Sequence, residues 1–163
     1  MKRFSNIKNT FTQKDNPLRP KNIPQYKPIF EADKKSRKSA PEKFFSKLFE
    51  SREMAHVYHL QVKGDMGSHA KHLALGEYYE NVLGIIDELV EVYQGQFSVI
   101  EEYDVIDTSP TKSVDTIKYF QDLADFIKVE RKCFDAEDTH YFNLIDDILV
   151  LIYRTLYKLK FNK

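Results

Sequence analysis

Five side chains between positions 69 and 91 carry most of the chemistry this chain offers: His69, His72, Glu80, Asp87 and Glu91. Histidine and carboxylate are the usual ligands for iron, manganese and zinc. Taking about 100° per residue with Asp87 as zero, His69 falls at about 0° and Glu80 at about +20°. Glu91 falls at about +40° and His72 at about −60° on the same scale. All five therefore share one stripe of one helix, and His59 stands just upstream, before a turn at Gly64. Ordinary core packing does not line acids and histidines along a half-apolar helix. The set reads as a metal site, against a bland alternative of partly buried histidines beside an exposed acidic face.

Two further pairs, Glu53 with His56 and Glu137 with His140, have the i,i+3 spacing used in bundle-core di-iron proteins. Such a centre also needs glutamates from the remaining helices, and the third helix has only Glu130 near its end. Solvated or capping roles are expected for both pairs. The single cysteine, Cys133, excludes an internal disulfide framework and any CxxC site, and reads as a packing thiol. Asp146 and Asp147 lie in an apolar helix and call for a salt bridge or hydrogen bond at an interface. No glycine loop suited to phosphate is present.

These residues need long helices to hold them. Ser39-Ala40-Pro41-Glu42 is a good helix start, with proline where its missing N–H costs nothing. A first helix then runs to about Val62, with Phe45, Leu48, Phe49, Ala55 and His59 on one face. Gly64 and Gly67 break it. Ser68 opens a second helix whose apolar stripe, Leu75 to Tyr93, persists until Gly95. A less regular stretch, Gln96 to Thr111, precedes a third helix over roughly Lys112 to Lys132. A fourth runs over roughly Ala136 to Leu159, apolar through Leu144, Ile148, Leu151, Ile152 and Leu156. Four amphipathic helices without strand-like alternation predict an all-α four-helix bundle over 42–163. The 96–111 connection, about 50 Å if extended, is long enough to run the length of such a bundle.

Residues 1–41 differ in kind. They hold eleven basic side chains, among them Lys2, Arg3, Lys8, Lys14, Lys34, Lys35, Arg37 and Lys38, against three acids. That is +8 on the arm and −8 on the rest of a neutral chain. Pro17, Pro20, Pro24 and Pro28 break any helix, so an extended, partly polyproline-like arm is expected, ordering only on a partner. Phe4, Phe11, Tyr26 and Phe30 stand among the charges, a mixture that grips nucleic acid through phosphates and stacking. Docking onto protein and a plain solubilising tail are the other two readings of the arm.

At 163 residues with a hydrophobic fraction of 42%, one ordinary domain with a core is expected. The longest apolar run, Ile148 to Tyr153, has six residues, against the ~20 of a membrane span. The N-terminus has positive charge but no apolar signal core. A soluble, cytoplasmic protein is expected.

The stretch His59-Leu-Gln-Val-Lys-Gly64 resembles the HWNVKG signature that ends the first helix of Dps proteins, the ferritin-like mini-ferritins. His72 stands 15 residues before Asp87 and 19 before Glu91, the spacing of that family's ferroxidase ligands, and Gly95 closes the second helix in a similar way. The resemblance implies a ferritin-like bundle assembled as a hollow dodecamer. It implies iron as the metal, bound between subunits, with His59 and His72 of one chain facing Asp87 and Glu91 of another. His69 and Glu91 are symmetric about residue 80, so two such helices crossing antiparallel there would put Glu80 at the dyad. Ferrous iron would be oxidised at this site and stored inside the shell. The basic arm would bind DNA, as the Lys-rich tails of some Dps proteins do. The chain departs from the family at Gly76, where the family has an aspartate. The loop before His72 is one residue longer, so His69 is a candidate replacement ligand, whereas Glu77 lies about 80° off the stripe. The departure is open to three readings: a rebuilt site, a weaker site, or a scaffold that has lost oxidation. An extended basic arm ahead of a bundle is also similar to ferritin-like proteins of tailed bacteriophages. That likeness implies a non-catalytic structural or docking role, in a virion or an infected host.

Overall fold

The computed structural model describes residues 41–64, 68–109 and 115–162. The arm, with its proposed nucleic-acid or protein contacts, lies outside the described residues. So do the Ser39-Ala40 start and Gly67.

Among the described residues the chain forms four α-helices: α1 Pro41–Leu60, α2 Ser68–Gln96, α3 Thr116–Glu130 and α4 Thr139–Phe161. A 3-10 turn, Arg131–Cys133, follows α3. Pro41 takes the first position of α1, as its sequence predicts. α3 begins four residues later than the apolar pattern suggests. Asp115 caps it by accepting from the backbone N–H groups of Ile117 and Lys118 at 2.9 and 3.2 Å. None of the described helices is long and apolar enough to cross a membrane.

The principal packing partners of α1 are α2 and α3, and those of α4 are also α2 and α3. Named pairs give the directions. Phe45 meets Tyr93 and His59 meets His72, so α1 and α2 are antiparallel. Phe44 meets Phe126 and Tyr58 meets Tyr119, so α1 and α3 are antiparallel as well. α2 and α3 therefore run parallel, touching across the core through Tyr78 and Phe120. The connection between them must travel back along the bundle. Its described part, residues 97–109, is fastened to the first half of α1, where Tyr103 packs on Phe49 and the Asp104 N–H donates to Ser46 Oγ at 2.9 Å.

The core changes character along its length. At the end of the bundle where α1 begins, Phe44, Phe45, Tyr93, Phe134 and Tyr141 form an aromatic cluster. Leu48, Leu89, Ile145, Ile148 and Ile152 are buried in the core, each worth about 1.5–3 kcal/mol on burial. Towards the other end a polar pair is enclosed: Ser51 and Tyr78, both 0% exposed, are 2.9 Å apart. Ser51 Oγ donates to the Leu48 carbonyl at 2.6 Å, so it accepts from the Tyr78 hydroxyl. Burial raises the Tyr78 hydroxyl's pKa and keeps it a donor.

Candidate functional site

The turn after α1 folds the last residues of that helix against the first turns of α2. There His59 and His72 stack, their ring centroids 3.6 Å apart and their planes at 27°. His59 Nδ1 lies 2.9 Å from the His72 carbonyl oxygen, and His72 Nδ1 lies 3.3 Å from that of His59. A carbonyl only accepts, so each Nδ1 carries the hydrogen and donates. That leaves Nε2 of each ring as the nitrogen available to a ligand. Metal-binding histidines use the same arrangement, with one ring N–H anchored to a backbone carbonyl while the other nitrogen is presented. The His72 ring also satisfies a helix-end carbonyl that α1 leaves without an intrahelical partner.

Both rings border a cleft of about 820 Å³ that His69, Gly76, Glu77 and Glu80 also line. Tyr79 backs it: its ring lies edge-on to His59 at 5.3 Å and against His56 at 4.5 Å. Glu77 is spoken for. Arg154 holds one carboxylate oxygen at 3.1 Å and Lys158 bonds the other. The Lys158 hydrogen bond is the main reason the Glu77 carboxyl sits below the usual carboxylate range. Glu80 and His69 are exposed, with no ion pair or hydrogen bond to another described residue.

Gly76 stands directly against the His59 imidazole. A Cβ there would lie 3.4 Å from both Cε1 and Nδ1 of His59. The space is ordinary contact distance for a methyl, but an aspartate would compete for the Nδ1–H that His59 gives to His72. The imidazole of His59 occupies the side of α2 from which a carboxylate at 76 would project.

Asp87 and Glu91 are exposed on the outer face of α2 and pair with no other described residue. Along the helix they stand about 22 and 28 Å beyond His72. One chain does not bring them to the histidines. Among the described residues no group of three or more His, Cys, Asp or Glu side chains gathers at metal-binding distance.

Of the two i,i+3 pairs, Glu53, His56 and His140 are engaged elsewhere. Glu53 pairs with Arg52, while His56 stacks on Tyr79. His140 Nε2 and the Tyr141 hydroxyl reach Gln96 Oε1 at 3.0 and 2.6 Å, tying the end of α2 to the start of α4. Asp146 forms the expected salt bridge, with Arg131 at 2.7 Å, whereas the exposed Asp147 has no ion pair or hydrogen-bond partner among the described residues. Cys133 is half-buried, and burial pushes its thiol up to about 12. Sequence reasoning missed Arg154 and Lys158 as neighbours of the cleft. Their i,i+4 spacing on α4 is visible, but nothing local links them to Glu77.

No curated protein and no solved structure matches the chain. Residues 59–159, from His59 at the end of α1 through most of α4, match the model described as "Family of unknown function (DUF5856)", and the chain belongs to that family.

Proposed function

We propose that this chain is a subunit of a Dps-like mini-ferritin, an oligomer that binds ferrous iron between subunits, oxidises it and stores the ferric product. The observation that carries this reading is the reciprocal anchoring of His59 and His72, which leaves two imidazole Nε2 atoms for a metal at an open cleft. Hard carboxylate and borderline imidazole ligands together suit Fe²⁺. Asp87 and Glu91 are free to serve a second copy, with His69 as a further ligand beside that copy's Glu91 and Glu80 at the dyad. The parallel α2 and α3, whose connection must travel back along the bundle, support the ferritin-like form of the bundle. In this reading each ferrous ion gives one electron to an oxidant, and the protein supplies ligands and geometry. The resemblance to Dps proteins makes a dodecamer the expected assembly.

Aerobic iron oxidation tests this directly. The wild-type protein should oxidise Fe²⁺ well above the buffer rate, and Asp87→Ala/Glu91→Ala should lose most of that excess. The basic arm, +8 over 41 residues, is proposed to bind DNA through phosphates. Removing residues 1–40 should abolish a DNA mobility shift that weakens steeply with salt.

One observation favours a second reading. The cleft has glycine at 76, and one of its two acids, Glu77, is neutralised by Arg154 and Lys158. A ferritin-like bundle that has lost oxidation and acts as a structural or docking protein, as in a virion, fits those two facts. Oxidation no faster than buffer, with no tight iron binding, selects that reading over the first.

A further inference from the structure

Two exposed surfaces of the bundle are opposite in charge and cannot meet within one chain. The first is the outer face of α4, where Val150, Tyr153, Tyr157 and Phe161 recur at helical spacing and are 56%, 45%, 61% and 67% exposed. Clefts of about 390 and 530 Å³ flank Tyr153 and Tyr157. From residue 150 to residue 162 this helix carries Arg154, Lys158 and Lys160 and no acid. Glu77 answers part of that charge; Asp122 and Asp125 of α3, which also line the 530 Å³ cleft, pair with Lys118 and Lys128, so Lys160 is left as a cation without an ion pair among the described residues.

The second surface is the connection between α2 and α3. Residues 97–109 hold Glu101, Glu102, Asp104 and Asp107 and no lysine or arginine. Apolar side chains stand among the acids, with Val105 91% and Val99 72% exposed. Tyr103 and the backbone of Asp104 fasten the segment to α1. α1 and α4 occupy opposite corners of the bundle, each packing mainly on α2 and α3. The acidic connection of one chain therefore faces away from its own α4.

We propose that the 97–109 connection of one copy docks on the α4 face of a second copy. Val99 and Val105 would enter the clefts beside Tyr153 and Tyr157, with Glu101 and Glu102 set against Arg154 and Lys160. The contact is head-to-tail, so repeated contacts generate a ring or a filament rather than a two-fold dimer. Its apolar part is modest. Three partly exposed aromatics and a valine offer on the order of 400 Å², within the range of the largest patches on single chains. That is small for an isolated dimer and adequate where a closed assembly repeats it. Opposite charge supplies register and excludes self-pairing of two acidic connections.

The contact is independent of iron, so its test is made in chelator. Sedimentation of the full chain is compared with Glu101→Lys/Glu102→Lys, with Val150→Glu/Lys160→Glu, and with all four changes together. All four side chains are exposed and outside the ion pairs described above. Each pair alone should weaken self-association by about tenfold or more. The quadruple variant should associate at least about threefold more tightly than either pair alone, because two acids on α4 then face two bases on the connection, while the lost Val150 contact and the unchanged Arg154 keep it below wild type. Val105→Ser, at a side chain that folding leaves in solvent, should weaken association with helix content unchanged by circular dichroism. A monomeric wild type, silent charge reversals in folded protein, or a quadruple variant no better than either pair would overturn the proposal.

Discussion

His59 and His72 hold each other: each imidazole donates its Nδ1–H to the other residue's carbonyl, across a stack of 3.6 Å. The same two hydrogen bonds clasp the end of α1 to the start of α2 and set the tautomer of both rings. Fold and ligand geometry thus rest on one feature, and suitable substitutions separate them. Asparagine places an amide N–H close to where Nδ1–H stood but has nothing at Nε2. His59→Asn/His72→Asn should keep most of the clasp, while His59→Ala/His72→Ala should cost about 1–3 kcal/mol. Urea unfolding measures that difference, and iron titration should show both double variants equally impaired.

The buried pair Ser51 and Tyr78 makes an asymmetric prediction. Tyr78→Phe removes a donor and leaves Ser51 still bonded to the Leu48 carbonyl, at about 1 kcal/mol. Ser51→Ala strands the Tyr78 hydroxyl in the core and should cost about 1–3 kcal/mol. Equal losses in chemical denaturation would contradict the assigned donor direction.

Glu77 predicts a pH dependence with a definite sign. Its carboxyl is held below its ordinary value of 4.5, chiefly by the Lys158 hydrogen bond. A depressed folded pKa contributes stability that is present above the unfolded value and lost as pH falls through the folded one. With its side chain 34% exposed, solvent screening limits the contribution to below about 1 kcal/mol. Glu77→Gln should therefore be less stable than wild type at neutral pH, and the gap should close as the solution is acidified below 4.5. Thermal melts across that range measure it.

Cys133 should be a slow thiol. Burial pushes its pKa up to about 12, which leaves little thiolate at pH 8. Ellman's reagent should react at least about a hundredfold more slowly with the native protein than with the same chain unfolded in guanidinium.

How legible this molecule is in its sequence depends on the range of the interaction. Helical apolar spacing identified four helices, since it reflects burial on one face. It left the ends loose: α1 stops at Leu60 rather than Val62, and α4 starts at Thr139 rather than Ala136. Hydrogen bonds at single residues, such as the Asp115 cap, decide ends, and an apolar period does not record them. Phe44 and Tyr58 are buried but fell outside the stripe read from Phe45 and Leu48, because α1 touches both α2 and α3 and buries two faces. The exposed carboxylates of α2 were readable as a stripe. The clasp between the histidines was not, because it depends on how the turn after Leu60 brings two helix ends together. Nor were the partners of Glu77, which lie on α4 far along the chain.

The central claim is that one copy supplies histidines and another supplies carboxylates, and subunit mixing tests it most directly. His59→Asn/His72→Asn and Asp87→Asn/Glu91→Gln proteins are assayed for aerobic Fe²⁺ oxidation separately, then after joint unfolding and refolding in equal amounts. Each alone should be close to the buffer rate. Random pairing across a dyad gives mixed pairs half of the time, each with one intact site of two, so the mixture should recover about one quarter of wild-type activity. A mixture no more active than its separate components, beside an active wild type, would contradict a site shared between subunits.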